Sequence, residues 1–196
     1  MNVDYPKRKH VRLKNYDYSR NGIYFVTICT QNRRCILSQI VLPRVVGAEM
    51  VGRGLAPAAS RLTACGRLVE EELTALMVRY PSVWIEKYVI MPNHIHALIC
   101  LQEDTAGASP RPTLMQVLGT LKSLTTRRWN GMIEQPGAKL WQSGYHDHII
   151  RDDNDFLNHW SYLNNNPARW AEDEYYVCTT KGTGTTWAFL KRSKRG

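Results

Sequence analysis

The chain has 196 residues, 43% hydrophobic and 22% charged, with a formal net charge of +9 and a sequence pI of about 9.5. That length supports one compact domain with a real core, no apolar run approaches the length of a membrane span, and the basic excess favours polyanionic partners, nucleic acid first. Cys29, Cys35, Cys65, Cys100 and Cys178 are odd in number and contain no Cys-x-x-Cys pair, so a zinc ribbon or disulfide framework is not expected and the setting reads as reducing and cytoplasmic.

Residues 1–20 form a polar, basic arm carrying Lys7, Arg8 and Lys9. It has no apolar core of the kind a secretory signal needs. Gly22 to Thr30 is rich in β-branched and aromatic residues and reads as a strand. Arg33 and Arg34 follow in a basic turn, and Cys35 to Ile40 reads as a short second segment. The stretch 41–64, with Gly47, Gly52, Gly54 and Pro57, is expected to be an irregular insertion. Leu68, Val69, Leu73, Leu76 and Met77 recur at helical spacing, predicting a helix over 66–80 that Pro81 ends. Val83 to Met91 reads as a strand, Pro92-Asn93 as a bend, and His94 onward as the second arm of an antiparallel hairpin.

Thr113 is placed to cap a second helix with Leu114, Val117, Leu118, Leu121 and Leu124 on one face. Its Lys122, Arg127 and Arg128 suit either the helix C-terminus or phosphate contacts. Leu140 to Arg151 reads as a further strand, and Asp152 or Asp153 as the cap of a third helix that runs to about Asn166, before Pro167. The Gly/Thr-rich, basic stretch 179–196 reads as a mobile tail beyond a single domain spanning 1–178. Strand, helix, strand, strand, helix, strand is the order of a ferredoxin-like split β-α-β fold of the α+β class, here with an added C-terminal helix.

In the segment Met91-Pro92-Asn93-His94-Ile95-His96 the two histidines lie two residues apart. On a strand they project side by side, while Ile95, Ala97 and Ile99 face the opposite, helix-covered side. The third helix must then supply what meets the imidazoles. On it Asp155, His159, Tyr162 and Asn166 form one stripe, beside an apolar stripe of Phe156, Trp160 and Leu163 suited to docking. Two imidazoles and the Asn166 oxygen could hold a divalent cation, and mixed nitrogen and oxygen ligands suit Mg²⁺ or Mn²⁺ better than structural zinc. Tyr162 could attack a phosphodiester polarised by such an ion. Tyr24, Trp84 and Trp141 are candidates for stacking on unpaired bases, although packing in the protein is the better reading for at least two of them.

These motifs carry a resemblance. Tyr24-Phe25-Val26-Thr27, Val89 to His96, Leu121-Lys122-Ser123, Trp141 to Arg151, and Tyr162-Leu163-Asn164-Asn165-Asn166-Pro167 together resemble the REP-associated tyrosine transposases, within the single-tyrosine HUH (His-hydrophobic-His) transposases. The similarity runs from about residue 9 to 178. It implies that His94 and His96 take the metal-ligand roles, that Tyr162 is the nucleophile, and that Asn166 is the third ligand. Tyr145 is the second-ranked nucleophile. The implied activity is metal-dependent cleavage and rejoining of single-stranded DNA at hairpin-forming palindromic repeats, through a 5′-phosphotyrosine, in the bacterial nucleoid. Lys7, Arg8, Lys9, Arg33, Arg34, Lys122, Arg127, Arg128 and Arg151 are the candidate DNA contacts. A replication-initiator-like nickase and an idle single-stranded nucleic-acid binder stay open as alternatives, as do a monomer and a homodimer that trades helices between sites.

Overall fold

The computed structural model describes residues 21–41, 59–102 and 112–176. The basic arm with Lys7, Arg8 and Lys9, the interior of the insertion and the C-terminal tail lie outside the described residues. The described elements are β1 (Gly22–Cys29), β2 (Ser38–Val41), β3 (Ala59–Leu62), α1 (Ala64–Arg79), β4 (Val83–Ile90), β5 (His94–Leu101), α2 (Leu114–Met132), β6 (His146–Ile149) and α3 (Asp153–Asn165), with 3₁₀ turns at Gln31–Arg33 and Asn166–Glu172. Strands β4-β5-β1-β6 form one sheet in that order, and every pairing within it is antiparallel. This is the ferredoxin-like arrangement read from the element order.

Strand alternation separates the two faces of the sheet. Ile95, Ala97 and Ile99 on β5 pair with Ile28, Val26 and Tyr24 on β1. All six are buried in one core with Val69, Leu73 and Leu76 of α1 and Leu114, Val117, Leu118 and Leu121 of α2. The register puts His94 opposite Cys29, His96 opposite Thr27 and Leu98 opposite Phe25, all on the other face. Helix α3 covers that second face. Its Leu163 is buried, and its Trp160 ring packs under the Lys87 ammonium of β4 at 4.1 Å.

The helix starts follow local capping chemistry. Thr63 accepts from the Gly66 N–H through its hydroxyl, so α1 begins two residues earlier than its apolar periodicity suggested. Thr113 and Gln116 close a reciprocal capping box on α2, and Asp152 caps α3. Pro167 cannot continue the α-helical ladder, and the chain tightens into a 3₁₀ turn there instead of leaving the helix.

Two expectations are corrected. The stretch 41–64 is not irregular throughout: Ala59–Leu62 pairs with Ser38–Val41 as an antiparallel ribbon, and Thr63 and Ala64 already belong to the start of α1. Leu140 to Arg151 is not one strand. Only His146–Ile149 joins the sheet, because Leu140 and Trp141 are buried by a single bridge to Thr30 and by the core instead of by a ladder. Among the described residues no helix is long and apolar enough to cross a membrane.

Candidate active site

The bend before β5 sets the position of the histidines. Thr30 donates through both its backbone N–H and its hydroxyl to the Asn93 carbonyl, and Leu37 N–H donates to the Pro92 carbonyl. Asn93 is fully buried, and its side chain works in two directions. Nδ2 donates to the Tyr175 carbonyl at 2.8 Å, and Oδ1 lies 2.8 Å from His94 Nδ1. A carboxamide oxygen only accepts, so His94 carries its proton on Nδ1 and turns the bare Nε2 lone pair into the site. On His96 the corresponding anchor is Thr27 Oγ1, 2.8 Å from Nδ1. Both Nε2 atoms are thereby left to face inward.

Helix α3 and the following 3₁₀ turn close over them. The Tyr162 hydroxyl lies 3.3 Å from His96 Nε2, and the rings of His94 and His96 stand 4.4 Å apart. Asn166 is buried, and its Nδ2 donates to Asp173 Oδ2 at 3.3 Å. That same carboxylate oxygen is 3.9 Å from His94 Nε2. Ligand-type atoms of His94, His96 and Asp173 all lie within 4.8 Å of one another. Two buried side-chain atoms of these residues, His94 Nε2 and Asn166 Oδ1, have no hydrogen-bond partner. Orphaned buried acceptors cost free energy unless a ligand serves them, and both are acceptors of the kind a divalent cation takes. Two neutral imidazoles and a carboxylate within reach of one another therefore fit a divalent ion, with the Asn166 carboxamide held beside them.

The electrostatics agree with that fit. Burial, reinforced by the mutual repulsion of the imidazolium forms and by Arg33, holds His94 well below the usual histidine range. Burial, and then His159, pushes His96 down to about 3. Both are neutral at pH 7, as ligands must be. Burial followed by the negative charge of Asp173 raises the Tyr162 phenol to about 12. Tyr162 keeps 40% of its surface exposed and sits between two open clefts of about 400 and 270 Å³, which share Asn158 and Glu174 in their walls.

His94, His96, Tyr162 and Asn166 are thus brought together, and Asp173 joins them without having been singled out from sequence. Its only signal there is an acidic run, Glu172-Asp173-Glu174, shortly after Asn166-Pro167. Tyr145 lies elsewhere, half-buried against the core cluster on the helix-covered side. The candidate DNA contacts divide. Lys122 points its ammonium at the carbonyls of Gln142, Ser143 and Gly144, and Arg128 binds Glu72 and Glu71 at 2.7 Å each. Arg33 donates to the Glu174 carbonyl and lies over the Tyr175 ring, and Arg34 donates to the Lys139 carbonyl. Arg127 lines a cleft of about 650 Å³ with Lys139 and Gln31, and Arg151 is exposed. Tyr24 and Trp141 are core residues, and Trp84 is exposed.

No family model matches the chain. An uncharacterized protein of Haemophilus influenzae is 30% identical over 183 residues, which cover 87% of this chain and 93% of that protein. A second Haemophilus influenzae protein, named "Putative REP-associated tyrosine transposase", is 25% identical over 161 residues, covering 80% of this chain and 77% of that one. Among solved structures, a REP-associated tyrosine transposase bound to a REP hairpin superposes with a TM-score of 0.55 at 19% identity, over 81% of this chain and 74% of that one, which establishes the shared fold. The chain is thus similar along most of its length to a protein named as a REP-associated tyrosine transposase, and it shares the fold of a solved one.

Proposed function

We propose that this protein cleaves and rejoins single-stranded DNA at hairpin-forming repeats, with Tyr162 as the nucleophile. One observation carries the reading: the Tyr162 hydroxyl stands 3.3 Å from an inward-facing nitrogen of a buried histidine pair, within one chain. His94, His96, Asn166 and Asp173 are the residues that would hold a divalent ion, Mg²⁺ or Mn²⁺. When bound, that ion supplies Lewis-acid polarisation of the scissile phosphate. The phenol attacks phosphorus, the bond to the 3′ oxygen breaks, and the departing 3′ oxygen takes up a proton. The phenol's own proton has a nearby acceptor in the Asp173 carboxylate, whose charge already raises the Tyr162 pKa. The new tyrosine–phosphate ester keeps the energy of the broken one, so a 3′ hydroxyl can reverse the step.

The nucleophile meets histidines of its own chain, so the reading requires no exchange of helices between copies. Because the solved relative holds a REP hairpin, a hairpin with a single-stranded flank is the substrate to try. Arg33, Arg34, Lys122, Arg127, Arg128, Arg151 and the arm residues Lys7, Arg8 and Lys9 are the candidate contacts to its phosphates. Each such contact steepens the salt dependence of binding.

The test is to incubate the protein with Mn²⁺ or Mg²⁺ and labelled hairpin DNA, then resolve the products on a denaturing gel. A covalent protein–DNA adduct is expected, absent without metal and absent in Tyr162→Phe. An adduct that survives in Tyr162→Phe and disappears in Tyr145→Phe moves the nucleophile. Binding with no adduct under any condition leaves a single-strand binder in place of the enzyme.

A further inference from the structure

The sheet face that carries His94 and His96 holds a second His-x-His pair. His146 and His148 lie two apart on β6, opposite Thr27 and Phe25 of β1, and so share that face. His148 meets two residues of α3. Its Nε2 is 2.8 Å from Asp155 Oδ2. On the other side of the same carboxylate, Oδ1 lies 3.1 Å from His159 Nδ1, one helical turn along, and that nitrogen also donates to the Asp155 backbone carbonyl at 2.9 Å. The two imidazole rings stack, with centroids 4.7 Å apart and an interplanar angle of 22°. Ligand-type atoms of all three residues lie within 4.8 Å of one another.

We propose that His148, Asp155 and His159 form a second divalent-cation site, of the zinc class, which fastens the helix bearing Tyr162 to the edge strand of the sheet. Two imidazoles and one carboxylate with a free fourth position is the donor set of an open, tetrahedral zinc site. In such a site metal–ligand bonds of about 2.0–2.2 Å set neighbouring donors roughly 3.3 Å apart. The observed separations of 2.8 and 3.1 Å are those of donors bridged by protons. They open to the larger spacing by rotation of His148, which is 43% exposed, and by release of His159 Nδ1 and its proton from the Asp155 carbonyl. A divalent cation would serve all three donors at once.

The site is separate from the one around His94. Phe25 stands between them, its ring 4.6 Å from His159 and 5.1 Å from His96. It does bear on that site mechanically. His159 lies three residues before Tyr162 on α3, so an ion shared with β6 fixes the part of the helix that presents the phenol.

The experiment is a Zn²⁺ titration of the full-length, chelator-stripped protein by calorimetry, with bound metal counted after dialysis. One equivalent is expected that requires His148 and Asp155 but not His94 or His96. His148→Gln and Asp155→Asn each lose it, the double variant His94→Gln/His96→Gln keeps it, and adding His148→Gln to that double variant removes it. Zn²⁺ likewise raises the melting temperature of the double variant and not of the triple variant. Should the double variant not fold, the stoichiometry of the wild type against His148→Gln decides alone. The proposal is overturned if Zn²⁺ uptake is unchanged in His148→Gln and Asp155→Asn, or if all uptake disappears with a folded His94→Gln/His96→Gln protein. Neither result depends on whether Tyr162 attacks DNA.

Discussion

His94 and His96 are alike in sequence but are held by different partners, and each partner makes a separate prediction possible. Thr27 is buried and offers His96 Nδ1 its hydroxyl. Thr27→Val keeps the shape and deletes the partner. Groups that orient a ligating imidazole are typically worth 10–100-fold in metal affinity, so Mn²⁺ binding by calorimetry should weaken by about that factor. The metal-free protein should lose roughly 1–3 kcal/mol of stability, the usual cost of a buried polar atom left unpaired. Unchanged Mn²⁺ affinity in a folded variant would show that packing, not Thr27, orients the ring. At this scale the sequence was readable where roles follow from spacing. The two-residue gap placed both imidazoles on one face, and the four-residue gap placed Tyr162 with Asn166. It was not readable where a role depends on what a side chain meets. The three carbonyls that Lys122 holds and the two glutamates of α1 that Arg128 holds follow from no spacing in the chain. Asp173 enters the site only because a 3₁₀ turn folds back over His94, and no periodicity announces it.

Elements were legible to the extent that their own pattern buries them. Helices α1 and α2 each bury a stripe of period 3.6 against the sheet, and β1 and β5 alternate across it. The 140–151 region misled because aromatic and β-branched residues are also what a buried bridge and a core edge require. The ribbon of β2 and β3 was missed because its second strand, Ala59–Leu62, has exposed Ala59 and Arg61 and too little apolar alternation to stand out. The ribbon nevertheless matters to the site. Ser38 and Ser60 both donate to the Ile90 carbonyl, at the end of β4 just before the bend that leads into the histidines. Where α1 leaves the ribbon, Gly66 brings the helix against the chain before β2, and a Cβ there would stand 2.0 Å from the Leu37 carbonyl oxygen. Alanine is the better helix former by about 1 kcal/mol, but a backbone atom cannot rotate aside, and overpacking of this kind costs typically 1–3 kcal/mol or more. Gly66→Ala should therefore lower the urea midpoint. A midpoint that rises instead would mean that α1 does not approach Leu37 this closely.

Across the whole molecule the sheet separates two energetically opposed faces, an apolar one that stabilises the fold and a polar one that taxes it. The buried imidazoles make that tax depend on pH, with a sign that can be worked out. An unfolded histidine titrates near pH ~6.5. In the folded protein His96 is pushed down to about 3 by burial and then by His159, and His94 is held well below the usual range by burial, His96 and Arg33. Below pH ~6.5 the unfolded chain binds protons that the folded chain refuses, so the equilibrium shifts toward unfolding. Stability is at its full value above pH ~6.5 and is lost as the pH falls from there toward 3. Each pH unit in that window costs about 1.4 kcal/mol per imidazole. Asp173 acts in the opposite direction, because burial raises its carboxyl and the folded form then gains a proton first. One carboxyl with the contrary sign does not cancel two imidazoles. Tyr162, raised to about 12, stays protonated through the whole range. Chelator-treated protein should accordingly melt at a lower temperature at pH 5 than at pH 7.5. Added Mn²⁺ should widen the difference, since an ion on the Nε2 atoms stabilises the fold at neutral pH and is displaced by protons in acid. A melting temperature that is flat between these pH values would mean that His94 and His96 reach solvent and bind protons in the folded state. The dry, ligand-ready pocket inferred from their burial would then not exist.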